Sequence, residues 1–392
     1  MHPAAERRYP WDHAGARAFG GPLADTVADL ALVDHHVHGA LRTGVDRPSF
    51  ESMITEAPRP STVATQFDSQ IGFAIRRWCA PVLGLQPHAS ADDYWHHRSE
   101  LGEEEVNRRL LRASGTATYL IETGYLGDAV LSPEEHADVA AASAREVVRL
   151  ETVAESLLDE VDSARAFVAQ YPSRLAEATS SAVGTKSILA YRFGFDVDAA
   201  RPGDDEVVRA VERVLGTTTG RQRIEDPVLL RHLLWCGVDR GLPIQLHSGY
   251  GDPDLDLHRA NPLLLAPWLR EVEGSGVPVM LLHNYPYHRE AGYLAQVFDN
   301  VYFDVGLGLN YVGSQSPQLI AESLELAPFH KQLYSSDAWG PSELHFLGSL
   351  LWRRGISRVV GQWVQDGDWS QGDAERVLRL IAHENAERVY RL

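Results

Sequence analysis

One unit recurs eight times along this chain. Each unit has a short apolar run rich in β-branched residues, a polar tip and then an amphipathic stretch. The runs are ALVDHHVH (31–38), TATYLIETG (116–124), VVRLETVAE (147–155), AVGTKSILAYR (182–192), LPIQLHSG (242–249), VPVMLLHN (277–284), NVYFDVGLG (300–308) and KQLYSSDAWG (331–340). Near-continuous apolar strands alternating with helices imply parallel β–α units, because such strands are buried on both faces. Eight units close into a (β/α)8 TIM barrel. The competing arrangement, an open doubly wound sheet, calls for a Gly-rich phosphate loop after the first strand, and none follows residue 38.

The spacing also sets the domain reading. Residues 1–30 read as an N-terminal extension and helix, and 31–392 as a single barrel. The widest gap, about 40–115, contains two helical stretches, TVATQFDSQIGFAIRRWCAPVLGL and SADDYWHHRSELGEEEVNRRLLRA. It reads as a helical insertion between strands 1 and 2, placed over the barrel mouth as a lid. SPEEHADVAAASAREV opens with a Ser-Pro helix start and an early Glu pair. The end, DAERVLRLIAHENAERVYRL, reads as the last barrel helices.

Composition narrows the partners. The net charge of −18 repels phosphate backbones and anionic lipid, which argues against nucleic acid and membrane surfaces. No apolar run approaches the ~18 residues a membrane span needs, and MHPAAERRYPWDHAG lacks an apolar signal core. A cytoplasmic enzyme with a small-molecule substrate is expected, with homo-oligomerisation left open. The two cysteines, Cys79 and Cys236, lie in no metal-spaced cluster and read as core thiols.

The chemistry concentrates at the run tips. On a strand, side chains alternate between faces. In D-H-H-V-H, strict alternation puts Asp34, His36 and His38 on one face and His35 and Val37 on the other. His35 then faces the helices and is structural, while His36 and His38 stand at successive interior positions near the C-terminal mouth, where barrel enzymes keep their chemistry. His247, His283 and Asp337 occupy the tips of runs 5, 6 and 8. Neutral imidazoles and a carboxylate converging at strand ends suit a divalent ion: Zn²⁺ first, with Mn²⁺ or Fe²⁺ as alternatives.

D-x-H-x-H on strand 1, His on strands 5 and 6 and Asp on strand 8 resemble the metal-dependent amidohydrolase superfamily. LPIQLHSGYGDPDLDLHRANP, LLHNYPYHREAGYLAQVFDNVYFDVG and LYSSDAWGPSELHFLG resemble its amidohydrolase-2 branch, and within it the FluG-like, nodulin-like group. In some members of that group the barrel precedes a glutamine-synthetase domain, and no such domain is read here. The resemblance implies that His36, His38, His247 and Asp337 surround the metal, and that His283 is a further ligand or a general acid/base. Some superfamily members bridge two metals with a carboxylated strand-4 lysine. Lys186 could play that part or act as a plain cation that anchors substrate. One ion is favoured over two, because Lys186 reads as lying below the tip of its run.

The expected reaction is hydrolysis of an amide-type C–N bond by metal-activated water. Asp337 would accept the proton and pass it to the leaving group, and His283 would polarise the carbonyl. Asp34 would either orient an imidazole or make a core hydrogen bond. Arg192 suits a carboxylate on the substrate. Glu122, Tyr250 and Trp339 are further substrate-contacting candidates, and Asp252, Asn284, Tyr287 and His288 could line the mouth. Arg149 and Glu151 must be paired if buried, with each other or with neighbours. His96 and His97 read as solvent-facing. Two other readings stay open: a non-oxidative metal-dependent decarboxylase of the same branch, and a catalytically inactive binding barrel.

Overall fold

The structure is a computed structural model that describes residues 19, 21–59, 61–62, 64–217 and 223–392. Residues 1–18 and 20 of the expected N-terminal extension lie outside the described residues. Its helix is Ala24–Asp29. Seven strands form one curled parallel sheet in chain order: β1 (Leu32–Val37), β2 (Thr116–Glu122), β3 (Ser143–Arg149), β4 (Gly184–Ser187), β5 (Ile244–Ser248), β6 (Val279–His283) and β7 (Val301–Phe303).

Residue parity separates the two faces of the sheet. Ile244, Leu246, Val279, Leu281, Val301 and Phe303 pack with helical residues such as Leu150, Leu233 and Leu294 in the largest apolar cluster. The alternate set, Val33, Leu120, Val147, Met280 and Leu282, meets Leu333 and Tyr390 in a smaller cluster on the concave side. Gln245 of β5 reaches the backbone of β1 across that concavity, its Nε2 donating to His35 O at 2.7 Å.

The eighth run forms no strand among the described residues, unlike the reading from sequence. Its backbone nevertheless bonds both edges of the sheet. Leu333 N donates to Phe303 O (3.0 Å) and His35 N to Tyr334 O (3.2 Å). Asp337 N donates to His36 O (3.1 Å) and His38 N to Ala338 O (2.8 Å). The ladder is broken where Asp337 takes a left-handed backbone, φ +51°, which an L-residue adopts only at some cost.

The third run also differs. Its strand is Ser143–Arg149, and LETVAESLLDE forms the following helix, Leu150–Glu160. The expected helix does begin at Ser132, with a complete capping box to Glu135, but it stops after Ala140, where Ala141 turns left-handed at φ +54°. The first half of β3 is solvent-exposed and polar, so its strand character is hidden from a search for apolar runs.

Between β1 and β2 the chain is mainly helical, including Arg47–Ser52, Ala91–Leu101 and Glu103–Ala113. These pieces share a separate apolar cluster, in which Phe50, Phe67, Tyr94 and Leu110 pack on Leu347 and Leu350. Arg98 is buried between Glu103 (2.8 and 2.9 Å) and Glu343 (2.6 Å), tying this segment to helix Ser342–Asp366. A buried guanidinium needs such pairing. His96 is exposed as expected, but His97 is half-buried, with Nε2 2.9 Å from Leu83 O. Cys79 and Cys236 are buried free thiols. No helix among the described residues is long and apolar enough to cross a membrane.

Candidate metal centre

The register of β1 sets the geometry of the site. Asp34 pairs with Tyr119 of β2 and Val37 with Ile121, so three steps on β1 oppose two on β2. The register slips by one residue there, as at a β-bulge, and such a slip re-aims side chains. Strict alternation fails here in two ways. His35 turns to the concave side, where it meets Asp304 (Nε2–Oδ2, 3.0 Å) and Tyr390 (Nδ1–OH, 3.1 Å). Asp34 contacts no ligand imidazole; its Oδ1 accepts from Ser336 N at 2.9 Å and clamps the eighth run to β1. Burial pushes the Asp34 carboxyl up to about 7.

His36, His38 and Asp337 form one group whose ligand atoms all lie within 4.8 Å of one another. His36 Nε2 is 3.1 Å from Asp337 Oδ1 and His38 Nε2 is 3.8 Å from it. Neither contact has hydrogen-bonding geometry, and Asp337 Oδ1 is buried without a hydrogen-bond partner. Each imidazole is oriented through its other nitrogen. His36 Nδ1 donates to Gln245 Oε1 at 2.7 Å. His38 Nδ1 faces Glu122, 3.1 Å from Oε2 and 3.3 Å from the carbonyl oxygen. Both Nε2 atoms therefore face the Asp337 carboxylate, as metal-binding histidines are held, and that of His36 also meets Lys186 Nζ at 3.2 Å. Two lone pairs and an orphaned carboxylate oxygen converging in a buried site fit a divalent cation.

His283 and His247 complete the wall. His283 Nε2 lies 3.4 Å from Asp337 Oδ2, and neither ring nitrogen has a hydrogen-bond partner. By parity His283 belongs with Val279 and Leu281 on the helix-packed face. Left-handed backbone at His283 (φ +66°) and Asn284 (φ +63°) ends the alternation and lets the ring approach Asp337. His247 is on the concave side, its ring 4.7 Å from that of His283. Its Nε2 is 3.1 Å from Tyr250 O, and it stands outside the ligand trio.

Lys186 is not below the tip of its run, as the sequence reading had it. β4 is only four residues long, and Lys186 Nζ lies 3.2 Å from His36 Nε2. Burial lowers its pKa to about 8, against the opposing pull of Asp337 and Glu122. Burial holds the His36, His38, His247 and His283 imidazoles below their ordinary range, the neutral form a metal requires. Burial likewise raises the Asp337 carboxyl, despite the Lys186 charge.

The trio opens into a cavity of 290 Å³ lined by residues that include Glu56, Tyr125, Arg192, Asp252 and Trp339. Of the substrate candidates, Arg192, Trp339 and Asp252 line it. Tyr250 does not; it packs against Tyr285 and Tyr311. Glu122 does not line it either. It is buried under His38 and held by Arg149 (Nε–Oε1 3.1 Å, Nη2–Oε2 2.5 Å) and Gly124 N. Burial alone would raise its pKa, but the Arg149 charge and the His38 contact hold it far below the carboxylate range. Arg149 thus pairs with Glu122, and Glu151 bonds Ser187 and Ile188 N instead. Asn284 is buried, donating to Leu281 O and Asp304 O, and His288 pairs with Glu322. Tyr287 is not among the lining residues.

The sequence reading missed Gln245 and Glu56. Gln245 was open to detection, since it lies two residues before His247 and shares its face. Glu56 follows helix Arg47–Ser52 in a segment without periodicity, and nothing local marks it.

The curled parallel α/β sheet and the buried group of two imidazoles and a carboxylate fit the class of metal-dependent α/β enzymes. Residues 92–392 match the amidohydrolase family (Amidohydro_2), and the chain belongs to that family. It is 28% identical over 402 residues to Protein fluG of Emericella nidulans, covering 92% of this chain and 46% of that protein. The chain thus spans about half the length of this curated relative. A solved structure of a proposed metal-dependent hydrolase from Lactobacillus casei ATCC 334 superposes with a TM-score of 0.85 at 27% identity, covering 95% of this chain and 98% of the other. A uronate isomerase from Bacillus halodurans C-125 superposes at 0.65 with 13% identity, covering 93% and 94%, a likeness of fold alone.

Proposed function

We propose that this protein is a metal-dependent hydrolase of an amide-type C–N bond in a small, carboxylate-bearing substrate, with a single ion per chain, Zn²⁺ first. The observation that carries this reading is the convergence of His36, His38 and Asp337, with ligand atoms within 4.8 Å, at a cavity containing Arg192. On this reading residues 332–340 serve as the eighth stave of a barrel and the helices between β1 and β2 as its cover. Location in the cytoplasm is part of the same proposal.

His36, His38 and Asp337 would hold the ion. When bound, a divalent ion supplies Lewis acidity and makes water a stronger nucleophile near neutral pH. Asp337 uses Oδ2, the oxygen facing His283, to take the proton of the attacking water and return it to the leaving nitrogen. His283, with both nitrogens unengaged, donates to the carbonyl oxygen as charge develops there. Lys186 supplies a cation at the trio, 3.2 Å from His36, and Arg192, which lines the cavity, holds the carboxylate. Gln245 and Glu122 keep the two ligand imidazoles in one tautomer.

The test combines elemental analysis of the purified protein with a chelation and re-addition series on a panel of small amides and carboxylic acids. Ammonia or amine release that follows metal content is expected. Carbon dioxide release would move the assignment to a decarboxylase, and turnover indifferent to metal would end the hydrolase reading.

A further inference from the structure

The cavity is charged in two senses. Arg149 is neutralised by Glu122, and Arg223 lies 3.3 Å from Asp254 and 2.7 Å from Glu225. Apart from these pairs and from Lys186 beside the metal trio, two groups of charge line the cavity. One is Arg192, whose Nη2 pairs with Glu155 at 3.1 Å while Nη1 is buried with no hydrogen-bond partner. Its side chain is only 10% exposed, so water does not offset the missing contact. The other pole is Glu56 with Asp252. Glu56 accepts from Tyr311 OH at 2.8 Å, and Asp252 caps the backbone N of Asp254 at 2.9 Å. Among the described residues neither carboxylate has an ion pair. The two repel one another, and burial with that repulsion pushes the Glu56 carboxyl up.

Aromatic rings stand in the same wall. Tyr125 and Trp339 meet edge-on at 5.6 Å, and Tyr191 also lines the space. Unpaired carboxylates in a wall that also holds aromatic rings suit an ammonium group. A ligand with a carboxylate alone would satisfy Arg192 and leave Glu56 and Asp252 facing its negative charge. A volume of 290 Å³ is at the small end for ligand sites.

We infer that the substrate is a zwitterion: a small amide carrying both a carboxylate, read by Arg192, and a free ammonium group, read by Glu56 and Asp252 in the wall that also holds Tyr125 and Trp339. This deepens the hydrolase reading and rests on its choice of this cavity as the substrate site.

The test measures binding by isothermal titration calorimetry on the full chain, with ammonia release recorded separately. The probes are asparagine and glutamine, their N-acetyl derivatives, and the corresponding des-amino ω-amide acids. At least one zwitterion is expected to bind about tenfold or more tightly than both its N-acetyl and des-amino counterparts. E56Q should cut that preference, with the N-acetyl and des-amino probes binding no more weakly than to the parent, and R192Q should weaken every carboxylate-bearing probe. Des-amino acids binding as tightly as the amino acids, or none of the probes binding, overturns the inference. A preference for the zwitterion without ammonia release leaves the inference standing and removes the amide-hydrolase reading. Equal ammonia release from des-amino probes does the reverse.

Discussion

Two histidine groups are buried near β1, and they differ in what surrounds them. In one, His36, His38 and His283 face Asp337 at an open cavity. In the other, His136 and His345 pack ring to ring at 5.0 Å, with Tyr119 4.7 Å from His136. Each group contains imidazole nitrogens without hydrogen-bond partners: both nitrogens of His283 in the first, and both of His345 with His136 Nε2 in the second. The second group faces aromatic carbon, does not line that cavity and has no carboxylate in its ring contacts. Unpaired imidazole therefore does not define a site. The added carboxylate, the oriented tautomers and the access to a ligand do.

Removing the carboxylate is the most direct way to break this contrast. D337A and H36A should each lose bound metal and lower turnover by about a thousandfold or more, with the circular dichroism spectrum retained. H345F should keep its metal, because no ligand atom is lost. Metal analysis and activity on the three variants check this. Full metal content in D337A, or its loss in H345F, would erase the distinction between the groups.

Glu122 supports the site from below and comes next in size. E122Q leaves Arg149 buried without its countercharge, a change that costs about 3–5 kcal/mol. Urea unfolding should show a large drop in midpoint. An unchanged midpoint would mean that water solvates Arg149 and that the pair is ornamental to the fold.

The dry group should reveal itself through pH. Burial depresses the pKa of His136 to about 4, whereas an unfolded histidine titrates near 6.5. Between these values the unfolded chain binds a proton that the folded chain refuses, so stability falls as pH drops from about 6.5 towards 4. The two-and-a-half-unit gap corresponds to about 3 kcal/mol. H136F should flatten that part of the profile relative to the parent. Parallel profiles for the two proteins would show that His136 takes up its proton in the native state as readily as in the unfolded chain.

Much of this was legible in the sequence because it depends on local pattern. The apolar runs of β5 and β6 are dictated by burial on both faces, and His36, His38 and Asp337 lie at run tips. What was hidden depends on departures from pattern. A one-residue slip in the register of β1 turns His35 to the concave side, and Asp34 makes a core hydrogen bond. Left-handed backbone at His283 and Asp337 redirects two side chains that alternation alone would misplace. Glu122 read as a substrate residue because its charge was visible and its partners, Arg149 and His38, were not. The polar first half of β3 carries no apolar signal, so the strand was placed too late in the chain.

The smallest effect concerns how a ligand is aimed. Gln245 donates through Nε2 to His35 O (2.7 Å) and Tyr390 OH (2.9 Å), which fixes its amide and turns Oε1 towards His36 Nδ1. His136 has no comparable support: its Nδ1 accepts from Ala40 N at a long 3.5 Å. Q245L keeps the volume of the side chain and removes the acceptor, so His36 can change tautomer or rotate while the trio remains present. Metal affinity should fall by about 10–100-fold, with ligand identity and stoichiometry at saturation unchanged. Competition against a chromophoric chelator measures this directly. An affinity equal to that of the parent would show that Asp337 and Lys186 alone orient His36, and that the two histidine groups differ by the carboxylate and not by the hydrogen bond behind the ring.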